Sequence, residues 1–503
     1  MDITLPEYSL KMMLPEIVLF VLALVVVTYD LVTRRKSGAS VGYLAMASLV
    51  VTGVVLAFTG TGAGWGNMFY NDTLALFFKV IFLGAAFMAI GSCFGIAERK
   101  ILHHRGEFYG LMMFSTVGMM FLASARELIS LYIGLELTTV PLFVLAGFFK
   151  DDKRSVEAGI KYLIVGAFSS ALLLYGFSFL YGLTGTTDIF EMRYHLAGTW
   201  LARGSMVGVS VMILAVVTII AGLGFKLALP PFHQWAPDVY EGAPTPVTAF
   251  LSVGSKAAGL VAFIKVVVVG LYSYYAPIMA PNDWGMLVGV LACAAMIVGN
   301  VLAIRQTNIK RMLAYSSIAH AGYIMVGIIA VNQYGLASVS FYMFAYLFTN
   351  MGAFAIVTMF EDKTGSCQIA DYDGLARTSP FVSLALTVFL LSLTGIPPLA
   401  GFVGKFYVFA AAIEMAAAGG DTWIYWVVGV ALITSVFALY YYANVMKVMY
   451  FGKSENPVKL TFTTPSLVVV AIALVGVFLF GLNPQPVLDF LANIPVSYGL
   501  VLP

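Results

Sequence analysis

The sequence predicts an all-α polytopic membrane protein with about fourteen transmembrane helices, and three observations lead there. Hydrophobic residues make up 61% of the chain and charged residues only 10%, with a mean hydropathy of +0.93. A soluble globular domain carries charge on about a quarter of its residues. Apolar runs of about 20 residues, the length at which a helix crosses a bilayer, recur from end to end of the 503 residues. No long hydrophilic stretch leaves room for a soluble domain. Only helices and closed barrels satisfy every backbone N–H and C=O in hydrocarbon, and runs of this length are helices.

The spans are expected near 13–32, 40–60, 73–96, 108–124, 127–148, 157–183, 205–240 (broken), 245–270, 284–304, 311–330, 336–360, 380–411 (broken), 422–450 and 464–487. The opening residues "MDITLPEYSLKMMLPE" lack the basic region of a signal peptide, so the first run is read as a retained span. Span 7 is cut by "LALPPFHQW" and span 12 by "TGIPPLAGFVGKFYVF". Proline lacks an N–H and its ring clashes with the preceding turn, so a double proline ends a helix. Each break has a lysine nearby, Lys226 before the first and Lys405 after the second. Spans 7 and 12 differ by an odd number and cross in opposite directions. That is the pattern of two inverted five-helix repeats, spans 4–8 and 9–13, each with one broken helix. The domain reading follows: three helices in 1–107, a first antiporter-like half in 108–270, a second in 284–450, and a final helix and tail in 464–503.

Seventeen of the 27 Lys and Arg fall in loops after odd-numbered spans, among them Arg34, Arg35, Lys36, Arg99, Lys100, Lys150, Lys153 and Arg154. The opposite side holds four, Lys11, Arg126, Arg193 and Arg203. Cytoplasmic loops carry the excess of basic residues, so loops after odd spans are assigned to the cytoplasm and both termini to the periplasm. The net charge of +2 gives no case for nucleic acid as a partner. Cys93, Cys293 and Cys367 are far apart, the five histidines form no metal motif, and no GxGxxG or GxxxxGK[ST] appears. A redox or ATP-driven machine containing this chain would hold its cofactor elsewhere.

The six remaining lysines and Glu136 lie inside spans. A charge at mid-membrane costs roughly 2.5–3.5 kcal/mol on insertion scales and by default marks function. Lys79 and Lys265 stand near span ends and are read as snorkelling or structural. Glu136 in "ISLYIGLELTTVPLF", Lys226, Lys256 in "FLSVGSKAAGLVAF" and Lys405 are central. Lys161 stands about a turn inside span 6, His233 just after the first break, and His320 among the hydroxyls of Ser316, Ser317 and Tyr323. Burial favours a neutral lysine and a nearby carboxylate a charged one. A pair such as Glu136 with Lys226 is then an electrostatic switch, and a line of such groups points to proton handling rather than solute binding.

The stretches "LALPPFHQWAPDVYEGAPTPVTAFLSVGSKAAGL", "IKRMLAYSSIAHAGY" and "GIPPLAGFVGKFYVF" resemble the antiporter-like membrane subunits of proton-pumping NADH:quinone oxidoreductase, respiratory complex I, and the resemblance runs along almost the whole chain. Within that family the N-type branch fits best. L- and M-type members usually carry histidine where Lys256 stands, and M-type members glutamate where Lys405 stands. The resemblance implies fourteen helices, two inverted repeats and broken spans 7 and 12. By motif it implies a proton relay of Glu136, Lys161, Lys226, His233, Lys256 and Lys405, with His320 at a position that other members fill with glutamine. It implies no cofactor in this chain, with FMN, iron–sulfur clusters and quinone in partner subunits. The implied partners are the other membrane and peripheral subunits, including an M-type subunit and small membrane subunits, in a bacterial inner membrane. Competing readings are a subunit of a multi-subunit sodium/proton antiporter, the homologous subunit of a ferredoxin-driven thylakoid complex, and a structural scaffold, which six intramembrane lysines argue against.

The orientation is open to a direct test. A reporter active only outside the cytoplasm is expected to be active when fused after Pro503 and silent after Lys153. The reverse pair would overturn the span count or the sidedness.

Overall fold

The computed structural model describes residues 10–33, 39–95, 101, 104–200, 206–271, 281–330, 332, 334–419, 421–454 and 458–494. The sidedness arguments on Arg34, Arg35, Lys36, Arg99, Lys100, Arg203 and the terminus at Pro503 lie outside these residues. Among the described residues fourteen helices are long and apolar enough to cross a membrane. They are Leu10–Val32, Ser40–Ala57, Thr73–Ser92, Arg105–Ser124, Leu128–Ala146, Lys153–Thr184, Gly208–Leu227, Thr245–Gly270, Trp284–Ile304, Ile309–Ile329, Gly335–Thr364, Ala400–Gly419, Trp423–Phe451 and Thr464–Leu482, spans 1 to 14 in chain order.

Both breaks are where the double prolines stand. Span 7 ends at Leu227, the chain turns through Ala228 with a φ of 57°, and a short helix, Trp235–Gly242, completes the crossing. The first half of span 12, Pro380–Thr394, ends on Gly395 with a φ of 94°, and the span resumes at Ala400. A left-handed residue at a helix C-terminus costs least as glycine.

Symmetry between the halves extends to the backbone around spans 6 and 11. These spans end on Gly185 (φ 71°) and Gly365 (φ 72°). The residues that follow return to the start of another span in the same half: Leu128 N–H donates to Thr187 C=O and Ile189 N–H to Arg126 C=O. In the second half Ile309 N–H donates to Cys367 C=O and Ile369 N–H to Thr307 C=O. The sequence shadow of this motif, "LTGTTDI" against "KTGSCQI", was not read in advance.

Spans 8 and 10 are the centre of the bundle, each wholly buried within the protein, whereas only about a third of span 1 is. Side chains at spans 2, 5, 6, 9 and 13 remain exposed and apolar, as on Val50, Ile133, Ile164, Val290 and Val436, and form the lipid-facing surface. Span 8 departs from α-helix twice, with π-helical turns at Leu251–Ser255 and Ile264–Gly270. Two elements were not expected: an antiparallel hairpin, β1 (Gly62–Gly64) with β2 (Phe69–Asn71), between spans 2 and 3, and a helix, Ile189–Trp200, between spans 6 and 7. Both are too short and too polar to register as apolar runs.

Spans 4 and 5 touch backbone to backbone at Gly118, where an added Cβ would lie 2.4 Å from Thr138 N. Overfilling a packed site typically costs 1–3 kcal/mol, and here the obstacle is main chain, which cannot rotate away. Gly118→Val is expected to lower the amount of folded protein extracted in mild detergent and its melting temperature, with Gly429→Ala, which meets nothing within 4 Å, as the unaffected control.

Candidate functional site

The break in span 7 places Lys226 at the last turn before the proline pair, pointing inward and 4% exposed. Its ammonium donates to Thr139 Oγ1 at 2.8 Å and lies 5.4 Å from the centre of the Phe225 ring. Thr139 stands three residues after Glu136 on span 5, so both share one helix face. No ion pair within 4.0 Å joins Lys226 to Glu136. Instead Glu136 Oε1 is buried without a hydrogen-bond partner. The expected pair is therefore open in this structure, with a threonine hydroxyl holding the lysine. Gly259 of span 8 permits the contact between spans 7 and 8, since a Cβ there would meet Lys226 Cβ at 2.9 Å.

Lys256 follows directly on the first π-helical turn of span 8 and is 4% exposed. Its ammonium donates to the Ser317 carbonyl of span 10 at 2.5 Å. One turn further along span 10, His320 Nδ1 lies 2.6 Å from the Tyr342 hydroxyl, and its ring centre is 5.1 Å from that of Tyr346. A cavity of about 10 Å³ is lined by Lys256, Ser317, His320 and Tyr346. A second of the same size, on the other side of the histidine, is lined by His320, Tyr342, Ser392 and Gly404. About 10–15 Å³ is the room one water needs, given polar partners.

Lys405 lies beyond the second cavity, one turn into the resumed span 12. Its ammonium donates to the Thr394 carbonyl at 2.8 Å and to Ser435 Oγ at 2.9 Å, and sits 4.6 Å from the centre of the Tyr323 ring. Thr394 ends the helix before the break, so its carbonyl is one of those the double proline frees from helix bonding. Tyr323 closes the circuit, its ring 5.7 Å from His320 and its hydroxyl bonded to Asn300 and Thr434. Lys256, His320 and Lys405 are gathered around Tyr346 and Tyr323, and Lys226 sits on the adjoining span 7 against Gly259, one turn along span 8 from Lys256.

Two expected members stand apart from that group. Lys161, two turns into span 6, is 42% exposed and pairs with Glu157 and Asp238, each at 2.7 Å. Asp238 also takes Arg311 at 2.7 Å, and Arg311 reaches Glu241 at 3.1 Å, a charged cluster at the end of the bundle with the basic loops. His233 is half-buried in the break, its Nδ1 without a hydrogen-bond partner, and no hydrogen bond ties it to a lysine of the group. Of the two readings of Lys79 and Lys265, snorkelling gives way to the structural one, because both are buried and paired: Lys79 with Glu16 at 2.6 Å, Lys265 with Asp72 at 3.8 Å. A lysine far enough inside the apolar layer meets a partner more readily than it reaches water.

Sequence reasoning missed Thr139, Tyr342, Tyr346 and Ser435. Thr139 carried a signal, its i,i+3 spacing from Glu136. The tyrosines carried none, since aromatic residues in an apolar span look like packing.

The chain matches the family profile described as NADH:quinone oxidoreductase/Mrp antiporter, TM, over residues 125–437. It is similar to the NADH-quinone oxidoreductase subunit N of Desulfitobacterium hafniense, 42% identical over 90% of this chain and 91% of the relative. Among solved structures it is similar to a chain of respiratory complex I from Thermus thermophilus, at a TM-score of 0.75 and 30% identity, covering 94% of this chain and 98% of that one. A chain of the Mrp complex from a Dietzia species shares the fold at a TM-score of 0.80 and 19% identity, covering 98% of this chain and all of that one.

Proposed function

Because the chain belongs to the NADH:quinone oxidoreductase/Mrp antiporter transmembrane family, we propose that it is the proton-translocating N-type membrane subunit of a bacterial NADH:quinone oxidoreductase. It moves protons along the buried line from Lys226 through Lys256 and His320 to Lys405, driven by quinone reduction in other subunits. One observation carries this reading: His320 lines two water-sized cavities, one shared with Lys256 and the other with Gly404, the residue before Lys405. Proton transfer needs donor and acceptor within about 2.6–3.2 Å, or one water between them. Lysine, histidine, tyrosine and serine supply groups that give and take protons, and the surrounding apolar side chains keep bulk water from short-circuiting the path.

In this reading the open Glu136–Lys226 pair is one state of a switch. With the ammonium on Thr139, the lysine is free of its counter-charge. Swinging to Glu136 holds its proton in place by direct attraction. The charge cluster of Lys161, Asp238 and Arg311 stands where the basic loops face and serves as the entry side. His233, at the break, is the nearest titratable group to Lys226 along the chain and completes the set without a direct contact. FMN, iron–sulfur clusters and quinone belong to the partner subunits, and the membrane partners are an M-type subunit and the small membrane subunits.

Replacing Lys226 with Ala is expected to leave the complex assembled and to cut NADH-driven pumping by about tenfold or more, the scale of a lost proton-transfer group. Glu136 is expected to act through charge rather than shape. Pumping in inverted membrane vesicles, normalised to assembled complex, should therefore fall in the order wild type, Glu136→Asp, Glu136→Gln, with Thr139→Val also below wild type. A Glu136→Gln complex that pumps as well as wild type would sink the switch.

A further inference from the structure

We propose that Lys265 and Asp72, backed by Lys79 and Glu16, form a second proton-handling site that releases protons on the face opposite the basic loops. The proposal rests on the relay reading above, whose protons this site would pass outward from Lys256.

The relay leaves several buried charges unused, and four of them lie together. Glu16, Asp72, Lys79 and Lys265 are buried, at 3%, 1%, 0% and 3% exposure, and come from span 1, the residue that caps span 3, span 3 and span 8. Buried ion pairs repay their desolvation only with good geometry and satisfied hydrogen bonds, and apolar replacements often do as well. Ionisable groups inside a membrane therefore mark function unless they are mere clasps. The two pairs here differ in a way that separates these roles.

Lys79 is a fixed charge. It contacts Glu16 at 2.6 Å and donates to Asn71 Oδ1 at 2.6 Å, with its ammonium 5.0 Å from the Phe69 ring centre. Asn71 in turn accepts from Ser124 and donates to the Met12 carbonyl. Lys265 is held loosely. It donates to the Ala125 carbonyl at 2.9 Å, but its carboxylate partner, Asp72 Oδ2, is 3.8 Å away. The Glu16 oxygens and Asp72 Oδ2 alike lack other hydrogen bonds, so the separations of 2.6 and 3.8 Å are what distinguish the two pairs. Asp72 Oδ1 is engaged in capping span 3, accepting from Ala75 N–H at 2.7 Å. A free, buried carboxylate oxygen just beyond bonding distance of an ammonium is an acceptor in waiting.

A second observation concerns the helix. Span 8 carries its two π-helical turns at its two lysines: Leu251–Ser255 abuts Lys256, and Ile264–Gly270 contains Lys265. π-Helical turns are rare and gather at functional sites, where they loosen the regular ladder. The two lysines are nine residues apart, about 13.5 Å along the axis at 1.5 Å per residue, so waters must carry a proton between them. Next to Ala125, whose carbonyl holds Lys265, stand Arg126, paired with Asp188 at 2.8 Å and partly exposed, and Glu127, bonded to Ser130 and Thr187. The hairpin roofs the site, since Arg126 N–H donates to the Met68 carbonyl beside β2.

In the step itself the Lys265 ammonium gives its proton to the Asp72 carboxylate, leaving a neutral amine and a carboxylic acid. The acid loses the proton to water on the outer face, and the amine is recharged from the Lys256 side. Lys79 and Glu16 do not change charge.

Arginine decides the matter, because it keeps the positive charge and the pairing but does not give up its proton. Lys265→Arg and Lys265→Met would be made in the full complex, with proton uptake by inverted vesicles measured per NADH oxidised and per assembled complex. Both are expected to lose at least about tenfold in pumping. Wild-type pumping by Lys265→Arg overturns the proposal, because a clasp needs only the charge. Asp72→Asn keeps the cap, asparagine being as good there as aspartate, and removes the acceptor. Its pumping should also fall, and normal pumping would overturn the site even if neither Lys265 variant assembled. Lys256→Ala separates the two readings: loss of pumping there with normal Lys265→Arg keeps the relay and removes the outer site.

Discussion

A charge placed in hydrocarbon must find its partner inside the protein, and the architecture of this chain is arranged around that requirement. The double prolines at 230–231 and 397–398 each end a helix inside the apolar layer and expose carbonyls that a continuous helix would consume. Lys405 uses one of them, the Thr394 carbonyl. Lys256 takes the Ser317 carbonyl of a neighbouring span, and Lys265 the Ala125 carbonyl just past the end of span 4. Backbone oxygens, two of them at helix ends, thus stand in for water. A carbonyl holds an ammonium through one hydrogen bond without neutralising it, which leaves the lysine closer to losing its proton than a full carboxylate partner would. Glu16 with Lys79 is the opposite case, and there the charge stays.

The inverted repeat gives this arrangement its direction. Spans 6 and 11 end on matching left-handed glycines, and the chain then returns to the start of span 5 in one half and span 10 in the other through paired backbone bonds. The halves cross the membrane in opposite senses, so the two breaks interrupt helices that run in opposite directions. Lys226 and Lys405 sit beside the two breaks, with Lys256 and His320 between them. The line joining them lies in the wholly buried spans 8 and 10, where no lipid or bulk water competes.

Much of this was legible in the chain. The fourteen spans, both breaks and the central positions of Lys226, Lys256 and Lys405 follow from hydropathy and two proline pairs, because each is a local property. Contacts between distant segments were not legible. The Glu136–Lys226 pair looked probable from charge alone, yet the lysine rests on Thr139, a neighbour chosen by the rotation of span 5. His320 could be seen but not its two cavities, which depend on how Tyr342 and Tyr346 of span 11 pack. For Lys79 and Lys265 the chain left snorkelling and a structural ion pair both open, and the buried partners decide for the pair. Distance from a span end, counted in residues, says nothing of whether another element covers that end, and the hairpin between spans 2 and 3 does.

The same physics separates a proton carrier from a clasp. A lysine whose carboxylate is in contact, and whose other bonds are filled, gains nothing by becoming neutral. A lysine bonded to a neutral oxygen, hydroxyl or carbonyl, with a carboxylate oxygen a little out of reach, can exist in either state with only small movements of its surroundings. By that criterion Lys226, with Glu136 Oε1 unbonded nearby on the face that carries Thr139, and Lys265, with Asp72 Oδ2 unbonded at 3.8 Å, belong together. Lys79 does not. The distinction rests on bonding rather than burial, since all three lysines are buried to nearly the same degree, and it explains why one membrane span can hold a charge for packing while another holds one for transport.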